Sequence, residues 1–182
     1  LHGVRPTIRL GNHLLLGKVY GNEAAAAPLM AGFTSNPMDK PEASKIALFG
    51  VADYCWNPEA YDPNANWLAA IQTLYPGCAA AMQTFANHNS DHGPNYHGYR
   101  REESVAIAPM VQAFLDAYQR DGSVDAEAAA ALEAEFGRIA TAPKAIRTDA
   151  AAAPLVAEIA PWLDGFAALG SAGVNSLTLA SQ

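Results

Sequence analysis

Cysteine is nearly missing from this 182-residue chain, with Cys55 and Cys78 its only two. Neither lies in a metal-binding or redox spacing, so a cysteine metal site and a dithiol centre are excluded. Cys55 stands beside Trp56 in an apolar stretch, where a buried free thiol is the commoner outcome. A Cys55–Cys78 bridge stays open as the alternative. Basic residues are also scarce: 11 Lys and Arg stand against 18 Asp and Glu, a formal charge of −7. That balance argues against a nucleic-acid partner or an anionic membrane surface. Although 51% of the residues are apolar, no unbroken run of about 18 of them occurs, and no membrane span is expected. No Gly-x-Ser-x-Gly elbow, phosphate loop or dinucleotide fingerprint is present. The first residue is Leu1, and no basic-then-apolar leader follows it. No signal peptide is therefore expected within the chain: either processing removed one or this is a fragment of a longer protein, and the fragment is the favoured reading.

Strand signals are sparse as well, and helical ones fill most of the sequence. In residues 1–22, Gly11, Gly17 and Gly21 interrupt the apolar positions, which predicts an irregular arm. A short alanine-rich turn follows at Glu23–Met30, limited by Pro28. From Pro37 the pattern is helical, with Ile46, Phe49 and Trp56 expected on one face. Asp62-Pro63 opens a helix carrying Trp67 and Ile71, and Cys78–Asn87 gives another. After a polar loop at 88–99, Ile107, Met110, Val111, Phe114 and Tyr118 recur at helical spacing up to Asp121-Gly122. Ser123 is expected to cap a helix in which Leu132, Phe136 and Ile139 share a face. Leu155, Ile159, Trp162, Phe166 and Leu169 form a last seam, which Pro161 must bend or break. The fold class is thus all-α: a bundle of about five or six helices preceded by an irregular N-terminal arm.

The most distinctive stretch runs from Thr34 to Pro58, TSNPMDKPEASKIALFGVADYCWNP. Asn36 is placed to cap its helix and Pro37 to occupy the first turn, where a missing N–H costs nothing. A rigidly held amide at such a point suits a polar ligand, although a well-capped core helix explains the same residues. Within the helix, Asp53 needs a partner if buried, and Lys45, Arg100 and Arg101 are the candidates.

This stretch resembles the junction between the catalytic barrel and the helical domain of glycoside hydrolase family 84, which contains bacterial β-N-acetylglucosaminidases (O-GlcNAcases, some described as hyaluronidases). The resemblance takes in Asn12-His13-Leu14-Leu15-Leu16-Gly17 upstream. Downstream it continues through Tyr61-Asp62-Pro63 with Trp67, Thr84-Phe85-Ala86-Asn87, Arg100-Arg101-Glu102-Glu103-Ser104, Ala142-Pro143-Lys144 and Pro161-Trp162-Leu163. It implies that residues 1–35 correspond to the end of the barrel and 36–182 to the post-catalytic bundle. It also implies a substrate-binding role for Asn36, whose counterpart in the family hydrogen-bonds hydroxyls of the N-acetylglucosamine ring. An amide offers both donor and acceptor while staying neutral.

Two further groups have candidate chemistry. In the loop from His88 to Tyr99, three histidines and Asp91 invite a zinc reading, but their spacing matches no closed site, and no metal is expected. Tyr96, His97 and Tyr99 are read instead as the rim of a sugar pocket, where aromatic faces bury sugar surface. A solvated connector with buried tyrosines is the plain alternative. Glu102-Glu103 is the only adjacent acidic pair, and glycosidases work with two carboxylates. Their place ahead of an apolar-periodic run fits first-turn acids facing a helix dipole, a structural use.

The family acts through two consecutive aspartates, and no Asp-Asp occurs in this sequence. No catalytic residue is therefore assigned, no cofactor is expected, and the chain by itself is read as inactive. The expected partners are an N-acetylglucosamine-containing glycoconjugate and the protein's own catalytic barrel, with a secreted or extracellular location implied by the resemblance. An exposed apolar patch around Leu14–Leu16 and Phe33 is expected where that barrel would sit. A stand-alone helical module binding protein or glycan is the alternative, and a self-contained surface would favour it.

Overall fold

A computed structural model of the chain describes residues 14–20, 24–90 and 104–180. Among the described residues there is no strand, and six α-helices follow in order. They are α1 (Pro41–Trp56), α2 (Pro63–Leu74), α3 (Ala79–Asn87), α4 (Ala108–Asp121), α5 (Ala126–Thr148) and α6 (Ala153–Ala180). Short 3₁₀ turns at Ala24–Leu29 and Ala150–Ala152 precede α1 and α6. The all-α architecture is the one the sequence pattern predicts.

Local chemistry sets most of the boundaries. Asp62 accepts the amides of Asn64 and Ala65 at 2.8 and 2.7 Å, and Pro63 fills the first helical position. Gly122, at φ 70°, closes α4 in the left-handed conformation that glycine takes without strain. The start of α5 differs from expectation. Asp125, not Ser123, is the cap, and its Oδ1 accepts the Ala128 amide at 2.7 Å.

The bundle is organised around α5 and α6, the most extensively packed pair. Leu132, Ile139 and Ile146 of α5 meet Leu155, Ile159, Leu163 and Phe166 of α6, all buried. Gly170 continues that face. Leu169, expected on the seam, is 59% exposed instead. The register of α6 gives its contact position to the smaller residue, because a Cβ on Gly170 would lie 2.7 Å from Ala140 Cα and Phe136 O.

Helix α6 bends at Ile159, whose φ and ψ are −115° and 16°. Pro161 explains the bend: it has no N–H for the carbonyl of Ala157, and its ring crowds the preceding turn. The span Ala150–Ala180 is long and apolar enough to cross a membrane by length and composition. Its Leu155, Ile159, Leu163 and Phe166 are packed inside the bundle.

Helices α1, α2 and α3 close the other side, burying Ile46, Trp67, Ile71, Met82 and Phe85. The arm belongs to this core. Leu14 and Leu16 are buried, the Trp67 Nε1–H donates to the Leu16 carbonyl at 2.8 Å, and the Leu16 amide donates to Asn89 O at 2.9 Å. The expected exposed patch is therefore wrong at Leu14 and Leu16, whereas Phe33, the other residue expected in it, is exposed. An extended segment cannot leave its backbone polar groups bare, and here α2 and the end of α3 satisfy them.

Candidate functional site

Helix α1 starts at Pro41, later than the sequence suggests. Asn36 and Pro37 lie outside it, in an exposed, non-helical segment that runs up to the helix. Asn36 is thus not the cap. A second proline, Pro41, takes the first helical position, and the preceding Lys40 makes no side-chain cap bond. The acceptor comes from across the bundle: Glu158 Oε2 of α6 takes the amides of Glu42 and Ala43 at 2.9 and 3.2 Å. A carboxylate at a helix N-terminus also meets the favourable end of the macrodipole.

The segment carrying Asn36 is anchored at both ends. Behind it, the Leu15 amide donates to Met38 Sδ at 3.2 Å, and Ser44 Oγ donates to Lys40 O at 2.8 Å. The Lys40 ammonium stands 5.9 Å from the ring centre of Trp162 in α6. Ahead of it, Phe33 meets Tyr54 edge-on at 5.8 Å, and Tyr54 meets Tyr61 in the same manner. Tyr61 then donates to Val19 O at 2.6 Å, tying this aromatic row to the arm. Asn36 is accordingly a solvent-facing amide on a braced support.

An apolar surface lies on α1 itself. Phe49, Ala52, Asp53 and Trp56 line an open depression, and Trp56 is 89% exposed. Leu29, Met30 and Phe33 are exposed as well. Ile46, expected to share a face with Phe49 and Trp56, is buried beside Ala43 and Gly50. At 3.6 residues per turn, Phe49 and Trp56 nearly coincide while Ile46 lies roughly 60–80° round the helix. The boundary between core and surface falls between them. Asp53 is exposed, so the burial that would call for a cationic partner is not met. Asn66 Nδ2 donates to Asp53 Oδ2 at 2.9 Å, joining α2 to α1, while Arg100 and Arg101 lie outside the described residues.

Of the expected rim, Tyr96, His97 and Tyr99 lie outside the described residues, as do Glu102 and Glu103. His88, at the edge of that loop, is described and has a structural partner. Its Nε2 meets Glu135 Oε1 at 2.9 Å, and Arg138 bonds the other carboxylate oxygen. Burial alone would raise the Glu135 pKa, but the hydrogen bonds from His88 and Arg138 outweigh it and hold it below the usual carboxylate value. The two cysteines are free, with Cys78 buried and Cys55 exposed, so the bridge is excluded and the burial expected for Cys55 is incorrect. Cys55 occupies the outer side of α1, next to Trp56. Sequence reasoning missed Glu158, because no local pattern shows a carboxylate capping a helix more than a hundred residues away.

Known proteins resemble this chain in sequence and fold. A family profile described as beta-N-acetylglucosaminidase matches residues 9–87, and one described as bacterial GH84, post-catalytic domain, matches residues 103–182. The solved structure of CpGH84D is 29% identical, with a TM-score of 0.79 over 93% of this chain and 28% of its own. CpGH84B is 25% identical, with a TM-score of 0.78 over 91% of this chain and 28% of its own. An O-GlcNAc hydrolase of Thermobaculum terrenum has the same fold at 23% identity, with a TM-score of 0.76 over 93% of this chain and 35% of its own. Residues 103–182 of this all-α bundle thus match the domain that follows the catalytic unit in a class of bacterial glycoside hydrolases. The chain belongs to glycoside hydrolase family 84, with residues 103–182 matching the family's post-catalytic domain. It spans about a third or less of the length of those solved structures.

Proposed function

We propose that this chain serves a retaining, substrate-assisted β-N-acetylglucosaminidase as its post-catalytic domain, packing on the catalytic barrel and lending Asn36 to the sugar cleft. In such chemistry the substrate's own acetamido oxygen attacks the anomeric carbon, so the helical domain needs no nucleophile and no cofactor. No two aspartates adjoin in this sequence, and the acid–base pair is assigned to the barrel. Asn36 would hydrogen-bond ring hydroxyls, with Tyr96, His97 and Tyr99 forming the rim of the same pocket. A glycoconjugate bearing N-acetylglucosamine is the substrate, and a secreted location accompanies this reading.

The observation that carries the reading is Asn36 itself, a solvent-facing amide on a braced segment; α1 separately bears an open apolar stripe of partly buried Phe49 with exposed Ala52 and Trp56. Contact with a barrel would cover that stripe, the normal fate of a clustered apolar surface. The burial of Leu14 and Leu16 in the domain's own core favours a second reading, a self-contained interaction module.

Release of chromophore from a β-N-acetylglucosaminide separates the two. The chain alone is expected to show none, and the chain joined to a family 84 barrel is expected to turn over normally. In the joined protein, Trp56→Ser is expected to loosen the barrel contact and lower the melting temperature. Turnover by the chain alone would contradict the proposal. An unchanged melting temperature for the joined Trp56→Ser protein would favour the module.

A further inference from the structure

We infer that Glu158 is a positioning residue for substrate binding, acting through the N-terminus of α1 on the segment that carries Asn36. The inference rests on the role proposed for Asn36. Glu158 touches no substrate in this account. Its carboxylate accepts the Glu42 and Ala43 amides at 2.9 and 3.2 Å, which are otherwise orphan donors at the start of a helix with no cap of its own. The bond joins the two segments matched by separate family profiles, 9–87 and 103–182.

The geometry makes this contact directional. Glu158 sits on the bend of α6, immediately before Ile159, where Pro161 opens the helical ladder. Four residues on, Trp162 faces the Lys40 ammonium at 5.9 Å. One turn of α6 therefore holds Lys40, which precedes α1, and the first-turn amides of Glu42 and Ala43, while Met38 is held by the Leu15 amide. Asn36 lies two residues ahead of Met38. Loss of the Glu158 acceptor frees the first turn of α1 and lets the Asn36 amide leave the orientation a sugar hydroxyl needs.

The test uses the full enzyme with its barrel, comparing Glu158→Ala, Glu158→Gln and Asn36→Ala. Glu158→Ala is expected to raise KM roughly tenfold while kcat stays within about twofold, the signature of lost uniform binding. It is also expected to speed hydrogen exchange of the Glu42 and Ala43 amides roughly tenfold, with α5 amides unchanged. Glu158→Gln keeps an acceptor oxygen at the same reach and is expected to restore most of both. If Glu158→Ala does not fold, Glu158→Asp, one methylene shorter, supplies the same comparison. Faster exchange with unchanged KM would overturn the inference, as would a raised KM with unchanged exchange. An unchanged KM in Asn36→Ala would instead overturn the underlying proposal for Asn36, a result readable apart from either.

Discussion

Gly170 of α6 rests directly on the backbone of Ala140 in α5. The approach is so close that no side chain fits between them, and the ring of Phe136 presses on Gly173 one turn further along. Backbone atoms cannot rotate aside, so an added methyl must part the two helices. Gly170→Ala is expected to destabilise the domain by about 1–3 kcal/mol, against the small gain that alanine gives an open helix. Gly165, with open space around it, is the control. Chemical denaturation of both variants checks this, and equal stability would show that the helices do not meet at Gly170.

The thiols report on packing without any mutation. Burial, then the hydrogen bond and charge of Asp149, push the Cys78 thiol up to about 12. A thiolate is the reactive form, so Cys78 is expected to resist a disulfide reagent in the native protein. Cys55 is exposed and is expected to react at once. Titration should give one equivalent natively and two in denaturant. Two rapid native equivalents would contradict the buried position of Cys78.

Glu135 predicts a dependence on acid. Its pKa lies below the ordinary 4.5 in the folded state, so the native protein binds fewer protons there than the unfolded chain. The resulting stability is fully present above that ordinary value and is lost as pH falls through the lower folded one. Glu135→Gln, which cannot titrate, is expected to flatten the loss of denaturation midpoint between about pH 6 and 3. Equal acid slopes for the two proteins would refute the role of the His88–Glu135–Arg138 cluster.

Periodicity and cap chemistry made much of the bundle readable in advance. Asp62-Pro63, Asp121-Gly122 and the spacing of Leu155, Ile159 and Phe166 mark their elements because each acts over one or two turns. The errors share the opposite property. Asn36-Pro37 has the composition of a helix start, but Pro41 offers a later one, and the acceptor that stabilises it lies on α6. Trp56 obeys helical spacing yet faces outward, since periodicity locates a stripe without saying which neighbour covers it. Leu14 and Leu16 are interrupted by no polar residue, and their burial depends on Trp67 and Asn89, distant in sequence. The candidate site was legible at Asn36 only through family resemblance, while Glu158 reaches α1 through the packing of α6, which leaves no local pattern in the sequence.

The central claim concerns Asn36, and kinetics of Asn36→Ala in the barrel-bearing enzyme test it most directly. Asn36 is exposed, so its truncation should alter stability by no more than about 0.5 kcal/mol. Loss of a sugar hydrogen bond should raise KM for a β-N-acetylglucosaminide by roughly tenfold, equivalent to about 1.4 kcal/mol. A raised KM with an unchanged melting temperature is the predicted result. An unchanged KM, or a KM effect that merely tracks lost stability, would contradict it.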